Sequence, residues 1–162
     1  MASHAAPAPA DLDIRRLTVD DLDHFHDIRA EALRTHPQTF GSREEDEGGE
    51  ATLAAYRRWL SGVILGAFER GNLIGIAGFY VSPDRRSRHR GHIFTVYVRE
   101  GGRGRGVGDR LIKELLAHAE ACVEQVHLES CSKRPLRSRP TSARVRSIRY
   151  GSPSRPCKRR HV

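Results

Sequence analysis

A glycine-rich segment between a strand pattern and a helix pattern constrains the fold more than any other part of this sequence. The segment, Gly101–Gly108, contains five glycines and follows the run His92–Val98, whose β-branched and aromatic residues favour a strand. After it, apolar residues recur at three- and four-residue spacing, as on one face of a helix: Leu111, Ile112, Leu115, Leu116 and Ala119. A further strand pattern follows at Val123–Glu129. The order strand, loop, helix and strand predicts a parallel crossover.

The position of this loop predicts a phosphate site. Unpaired backbone N–H groups and the helix dipole attract anions at a helix N-terminus. Glycines let an anion approach the backbone closely, and Arg103 and Arg105 add positive charge. A flexible turn is the structural alternative, but five glycines in eight positions are more than a turn requires.

Two common nucleotide-binding motifs do not fit the loop. The dinucleotide pattern Gly-x-Gly-x-x-Gly fails because Val107 or Asp109 occupies the third glycine position. A P-loop needs Gly-Lys-Ser/Thr, and neither Gly106 nor Gly108 is followed by lysine. These mismatches disfavour a nucleotide-binding protein.

The residues before the loop predict a mixed α/β domain. The expected elements are a strand at Leu12–Leu17, a helix capped by Thr18 or Asp20, a helix at Ala51–Ser61, and strands at Val63–Phe68 and Leu73–Val81. The His36-Pro37 step ends the first helix, because a residue before proline avoids the helical conformation. The turn-rich stretch Glu69–Asn72 predicts a hairpin between the two strands.

The positive charge is concentrated at one end of the chain. The 162 residues include 28 Lys or Arg and 20 Asp or Glu. Residues 132–162 hold eleven of the basic residues and none of the acidic ones, so residues 1–131 have a net charge of −3. We expect a disordered leader at 1–11, one domain at 12–130, and a basic, disordered tail at 131–162.

Composition also predicts a cytoplasmic protein without a metal site. No apolar run approaches the roughly 18 residues of a membrane span, and the first ten residues do not resemble a signal peptide. Cys122, Cys131 and Cys157 do not have metal-ligand spacing.

The loop resembles the central motif of the GNAT family of N-acetyltransferases, Arg/Gln-x-x-Gly-x-Gly/Ala. Arg103–Gly108 fits this motif without a gap. The phrase Ile28–Leu33, with Pro37 and Phe40-Gly41, resembles the first-helix region of small members. The resemblance extends from about Asp13 to Glu129.

The resemblance implies a mostly antiparallel sheet with flanking helices and one splayed parallel strand pair, here 92–98 and 123–129. It implies acetyl-CoA as co-substrate, with the pantetheine arm near Val96 and Val98. The pyrophosphate would lie on the motif residues Arg103, Gly104, Arg105, Gly106, Val107 and Gly108. It also implies direct attack on the thioester by a primary amine, from a small molecule or a protein N-terminus.

Several residues are candidates for the chemistry. Glu129 matches the general-base position of a family branch that acetylates protein N-termini, although a strand-end carboxylate is an equal alternative. His92 and His127 are weaker candidates for a base or proton relay. Phe40, Tyr56 and Trp59 are expected either to line the acceptor site or to belong to the core.

After Glu129 the resemblance ends. The family's asparagine would fall near Arg134 and its thiolate-protonating tyrosine near Thr141, so the final helix and strands are expected to be missing. One wall of the thioester pocket is then open, and we expect acetyl transfer to be weak or lost. The tail could be an arm that binds nucleic acid, with Arg85–Arg90 as an auxiliary patch. The other two interpretations are a natural extension and an out-of-frame translation of the family ending. We favour the last, because codons for Arg144–Gly151, read one nucleotide later, can encode Gly-Phe at its expected place.

Overall fold

The computed structural model describes residues 11–37 and 49–128, together with the backbone of 146–149. The leader 1–10, Phe40, Glu129 and the rest of the basic tail lie outside the described residues. The helices are α1 (Leu22–Thr35), α2 (Glu50–Leu60) and α3 (Val107–Glu120). The strands are β1 (Leu12–Arg16), β2 (Val63–Glu69), β3 (Asn72–Val81), β4 (Arg90–Val98), β5 (Gln125–Leu128) and β6 (Arg146–Arg149).

The strands form one six-stranded sheet in the order β1-β2-β3-β4-β5-β6. Four of the five neighbouring pairs are antiparallel, and β4 and β5 are parallel. The parallel register runs from Arg90 opposite Gln125 to Ile93 opposite Leu128. This arrangement confirms the mixed fold with one parallel pair.

Helices cover both faces of the sheet. On one face, α3 packs against β2, β3 and β4, and Leu111 and Leu115 are buried beside Phe79 and Ile93. On the other face, α1 and α2 bury Phe25, Ile28, Tyr56 and Leu60 against Ile64 and Ile76. No helix in the described ranges is long and apolar enough to cross a lipid bilayer.

Element boundaries differ from the sequence predictions by a few residues. The β2–β3 turn is tighter than the predicted tetrapeptide, with positive φ at Arg70 (50°) and Gly71 (80°), as a two-residue hairpin turn requires. A 3₁₀ turn at Val19–Asp21 precedes α1, and Asp21 rather than Asp20 accepts a hydrogen bond from the Thr18 amide at 2.9 Å.

The tail contains one strand that the sequence analysis does not predict. β6 lies within 131–162 and pairs with β5, with Val126 opposite Ile148. The expectation of a disordered tail stays a prediction for the rest of 131–162, and these four residues are described as a strand. Strand pairing uses backbone groups, and β5 would otherwise present a free edge, so pairing does not need a hydrophobic pattern in the added strand.

A partly buried ion pair fixes the entry to α1. Arg15 donates from Nη1 and Nη2 to the two carboxylate oxygens of Asp21 at 2.9 and 2.7 Å. The Arg15 guanidinium also lies 4.2 Å from the Phe68 ring centroid. These Arg15 hydrogen bonds, opposed by burial and helped by the Thr18 amide, lower the pKa of Asp21 to about 2.

Asp21→Asn is expected to reduce the free energy of unfolding at neutral pH by about 1–2 kcal/mol, since Arg15 is half-exposed and screened. The folded-state pKa lies below the ordinary value of 3.8. The stabilisation is therefore complete above that value and is lost as pH falls towards 2. Chemical denaturation at several pH values measures this. Asp20→Asn is the control, and equal effects of the two variants would contradict the assignment.

Candidate functional site

The described pairing of β4 with β5 ends beside an irregularity in β4. Beyond Ile93, β4 continues to Val98 without a strand partner on the β5 side in the described part of the chain. The β3–β4 register passes from Gly78 opposite Phe94 to Ile76 opposite Tyr97. Thr95 and Val96 thus oppose the single residue Ala77, which defines a β-bulge. Val96 lies in the bulge and Val98 at the strand end, where the sequence analysis expects the pantetheine arm.

The bulge contains a strained residue with a buried partner. Thr95 has φ of +51°, a conformation that β-branched residues rarely adopt. Its Oγ1 accepts a hydrogen bond of 3.0 Å from Nη1 of Arg29 in α1. Arg29 is only 5% exposed, and its guanidinium lies 5.5 Å from the Trp59 ring centroid. Sequence reasoning missed this pair, although the position of Arg29 in the apolar stripe with Phe25 and Ile28 was a signal.

The glycine loop has the geometry of an anion cradle. Gly104 and Gly106 have φ of 71° and 74°, which glycine adopts without strain. The amide of Arg110 donates to Gly106 O at 3.0 Å. The amides from Gly106 to Asp109 therefore precede the first hydrogen bond of α3 and have no acceptor within it. A Cβ added at Gly104 or Gly106 would meet no atom within 4 Å, so the backbone is open to a ligand there.

Both loop arginines contact the protein. Arg105 forms a two-pronged ion pair with Glu69 of β2, with one contact at 3.1 Å, and this hydrogen bonding lowers the pKa of Glu69. Arg103 donates from Nε to Val98 O at 2.9 Å, and its Nη2 lies 3.0 Å from His36 Nε2. The loop is thereby held to β2, β4 and α1, and part of the expected positive charge is balanced by Glu69.

The end of α1 is joined to the end of β4. Tyr97 donates its hydroxyl to Glu31 Oε1 at 3.0 Å, and Arg99 Nε lies 3.3 Å from Glu31 Oε2. Together with the Arg103–His36 contact, these bonds anchor the strand from which the glycine loop begins. The segment around Glu31 that resembles the family therefore holds α1 against the end of β4, next to the glycine loop.

The structure brings together the two histidines singled out from the sequence. The His92 and His127 rings lie opposite each other in the parallel register and stack at 5.4 Å, with an interplanar angle of 25°. Tyr80 stacks on His92 at 5.0 Å. Within the described part of the chain, the buried Nδ1 of His92 has no hydrogen-bond partner. Glu129 follows Leu128, the last described residue of β5, and its side chain lies outside the described residues.

A cavity of about 340 Å³ opens on the same region. It is lined by Arg58 and Trp59 of α2, Gly62 and Val63, Phe79 and Tyr80 of β3, and Phe94 of β4. Trp59 was expected either to line the acceptor site or to belong to the core, and it lines this cavity. Tyr56 belongs to the core, because it is 2% exposed and packs edge-on against Phe25.

Comparison with known proteins identifies the family. The profile of the "Acetyltransferase (GNAT) family" matches residues 25–134, and no curated protein matches. A GNAT acetyltransferase from Streptococcus pneumoniae superposes with a TM-score of 0.63 at 19% identity, over 76% of this chain and 77% of that one. The ribosomal-protein-alanine N-acetyltransferase of Brucella melitensis gives 0.59 at 26% identity, over 73% and 74%. The protein yncA of Salmonella typhimurium, in a structure with its cofactor acetyl-CoA, gives 0.62 at 23% identity, over 75% and 70%. The chain belongs to the GNAT acetyltransferase family.

Proposed function

We propose that this protein transfers an acetyl group from acetyl-CoA to a primary amine. The observation that supports this most directly is the junction of two features: the amides of Gly106–Asp109, which have no acceptor within α3, and the bulged part of β4 beyond the described β4–β5 pairing. The acetyl-CoA in the structure of the Salmonella typhimurium protein is consistent with this proposal.

The residues at this junction fit acetyl-CoA. The amides from Gly106 to the first turn of α3 would hold the pyrophosphate, since Gly104 and Gly106 leave open space and the helix end favours negative charge. The backbone of Val96 and Val98 would pair with the amide groups of the pantetheine arm. Acetyl-CoA, when bound, supplies the acetyl group as a thioester.

The reaction needs a group that accepts a proton from the amine. The amine nitrogen forms a bond to the carbonyl carbon, the carbon–sulfur bond breaks, the nitrogen loses a proton and the thiolate gains one. We assign proton acceptance to Glu129, one residue beyond the end of β5. The stacked pair His92–His127 lies one position before the last described β4–β5 pair and is the alternative base or relay.

A small amine and a protein N-terminus are both candidate acceptors. The Brucella melitensis relative, at 26% identity, is named as acting on the alanine of a ribosomal protein. The nucleic-acid alternative depends on the basic tail, whose side chains lie outside the described residues. The catalytic proposal takes precedence because the family match at 25–134 includes the glycine loop and both parallel strands.

The glycine cradle can be tested with two matched variants. Gly106→Ala and Gly71→Ala each place a methyl group at positive φ with no neighbour within 4 Å, so both are expected to lose about 1 kcal/mol of stability. Only Gly106→Ala is expected to weaken acetyl-CoA binding, by about tenfold or more. Thermal melts of each variant with and without acetyl-CoA measure both effects. Equal ligand-induced shifts in the two variants would contradict the proposed phosphate site.

Glu129→Gln is expected to lower kcat by about 10²–10⁴-fold while acetyl-CoA affinity is retained, because a general base is removed without loss of a binding group. Glu124→Gln, at an exposed glutamate just before β5, is the control. Initial rates across a range of pH distinguish the candidates. A larger loss of kcat in His92→Asn than in Glu129→Gln would assign the proton acceptor to the histidine pair instead.

A further inference from the structure

The cavity beside Trp59 indicates which amines the site accepts. Resting on the proposed acetyl transfer, we infer that this cavity binds the acceptor, and that the acceptor is a small aromatic amine with an anionic group. The volume of about 340 Å³ is in the range of small-molecule sites. A cavity of this volume is large enough for one aromatic ring with a short chain.

Three of the four aromatic residues that line the cavity, Trp59, Tyr80 and Phe94, are linked by ring contacts. Trp59 lies edge-to-face with Phe94 at 5.6 Å, and Tyr80 lies edge-to-face with Phe94 at 5.4 Å. Tyr80 is 45% exposed, and Tyr80 and Val19 are the exposed large hydrophobic side chains among the described residues. An aromatic ring in the cavity would gain both apolar burial and edge or face contacts with these rings.

The charge at the cavity favours an anionic substituent. No Asp or Glu is among the described residues that line it, and Arg58 is its only lining cation in that part of the chain. The neighbouring Arg57 is paired with Glu50 at 3.6 Å, whereas no described carboxylate lies within ion-pair distance of Arg58. A carboxylate on the acceptor would therefore be attracted to Arg58, and a diamine would find no counter-charge.

Two residues that line the cavity, Phe94 and Tyr80, connect it to the proposed catalytic region at the β4 bulge and the histidine pair. Phe94 immediately precedes the bulged residue Thr95 in β4. Tyr80 stacks on His92, which stacks on His127 one position before the described β4–β5 pairing ends. We therefore expect an amine whose ring contacts Tyr80, Trp59 and Phe94 to lie next to the bulge, where the thioester is proposed to bind.

The single tryptophan of the chain, Trp59, provides a direct readout that does not depend on turnover. We would titrate the full chain with para-aminomethylbenzoic acid, benzylamine and putrescine, and follow tryptophan fluorescence. The expected order of affinity is aminomethylbenzoate over benzylamine by about two- to fivefold, the range of an exposed ion pair, with no response to putrescine. Arg58→Ala is expected to remove the preference for the carboxylate, whereas Arg57→Ala keeps it.

A second pair of variants tests the walls. Tyr80→Ser is expected to weaken both aromatic amines by about two- to tenfold, and Val19→Ser, at a similarly exposed position, is expected to leave them unchanged. Putrescine binding as tightly as benzylamine, or an unchanged preference in Arg58→Ala, would overturn the inference.

A parallel thermal melt with acetyl-CoA separates the two proposals. Stabilisation by acetyl-CoA with no fluorescence response to aromatic amines overturns the cavity inference alone, and the reverse result overturns the acetyl-transfer proposal.

Discussion

The site depends on the buried hydrogen bond from Arg29 to Thr95. A buried guanidinium is costly unless it is bonded, and a β-branched residue at positive φ costs about 1–3 kcal/mol. The hydrogen bond offsets both costs. The Thr95 hydroxyl accepts from the buried guanidinium of Arg29, and Arg29 in turn keeps the strained bulge in place against α1. The bulge in turn sets where Val96 and Val98 lie in the part of β4 beyond its described pairing with β5.

The two faces of the sheet contribute different parts of the site. On one face, α3 packs on the sheet and directs its N-terminal amides to the proposed phosphate position. On the other face, α1 places Arg29 against the bulge and α2 places Trp59 at the cavity. The Arg105–Glu69 ion pair and the Arg103 contacts hold the glycine loop between them. Rigid elements therefore position nearly all of the described groups that the proposed reaction uses.

The parts of the structure that local sequence determines could be predicted. The motif Arg103–Gly108, the hairpin and the apolar stripe of α3 each depend on neighbours within a few residues, and these elements appear within a few positions of their expected bounds. The bulge could not be predicted, because Thr95 adopts a conformation against its own preference. The stacking of His92 on His127 requires the register of two strands separated by α3, and β6 forms through backbone pairing that leaves little pattern in its side chains.

The most direct test of this account is the affinity for acetyl-CoA in two variants of Thr95. Valine keeps the β-branched shape and removes the hydroxyl, whereas serine keeps the hydroxyl that accepts from Arg29. Isothermal titration is expected to show affinity about tenfold lower in Thr95→Val and within about twofold of the parent in Thr95→Ser. Unchanged affinity in Thr95→Val, with both variants folded, would contradict the claim that this hydrogen bond positions the binding edge of β4.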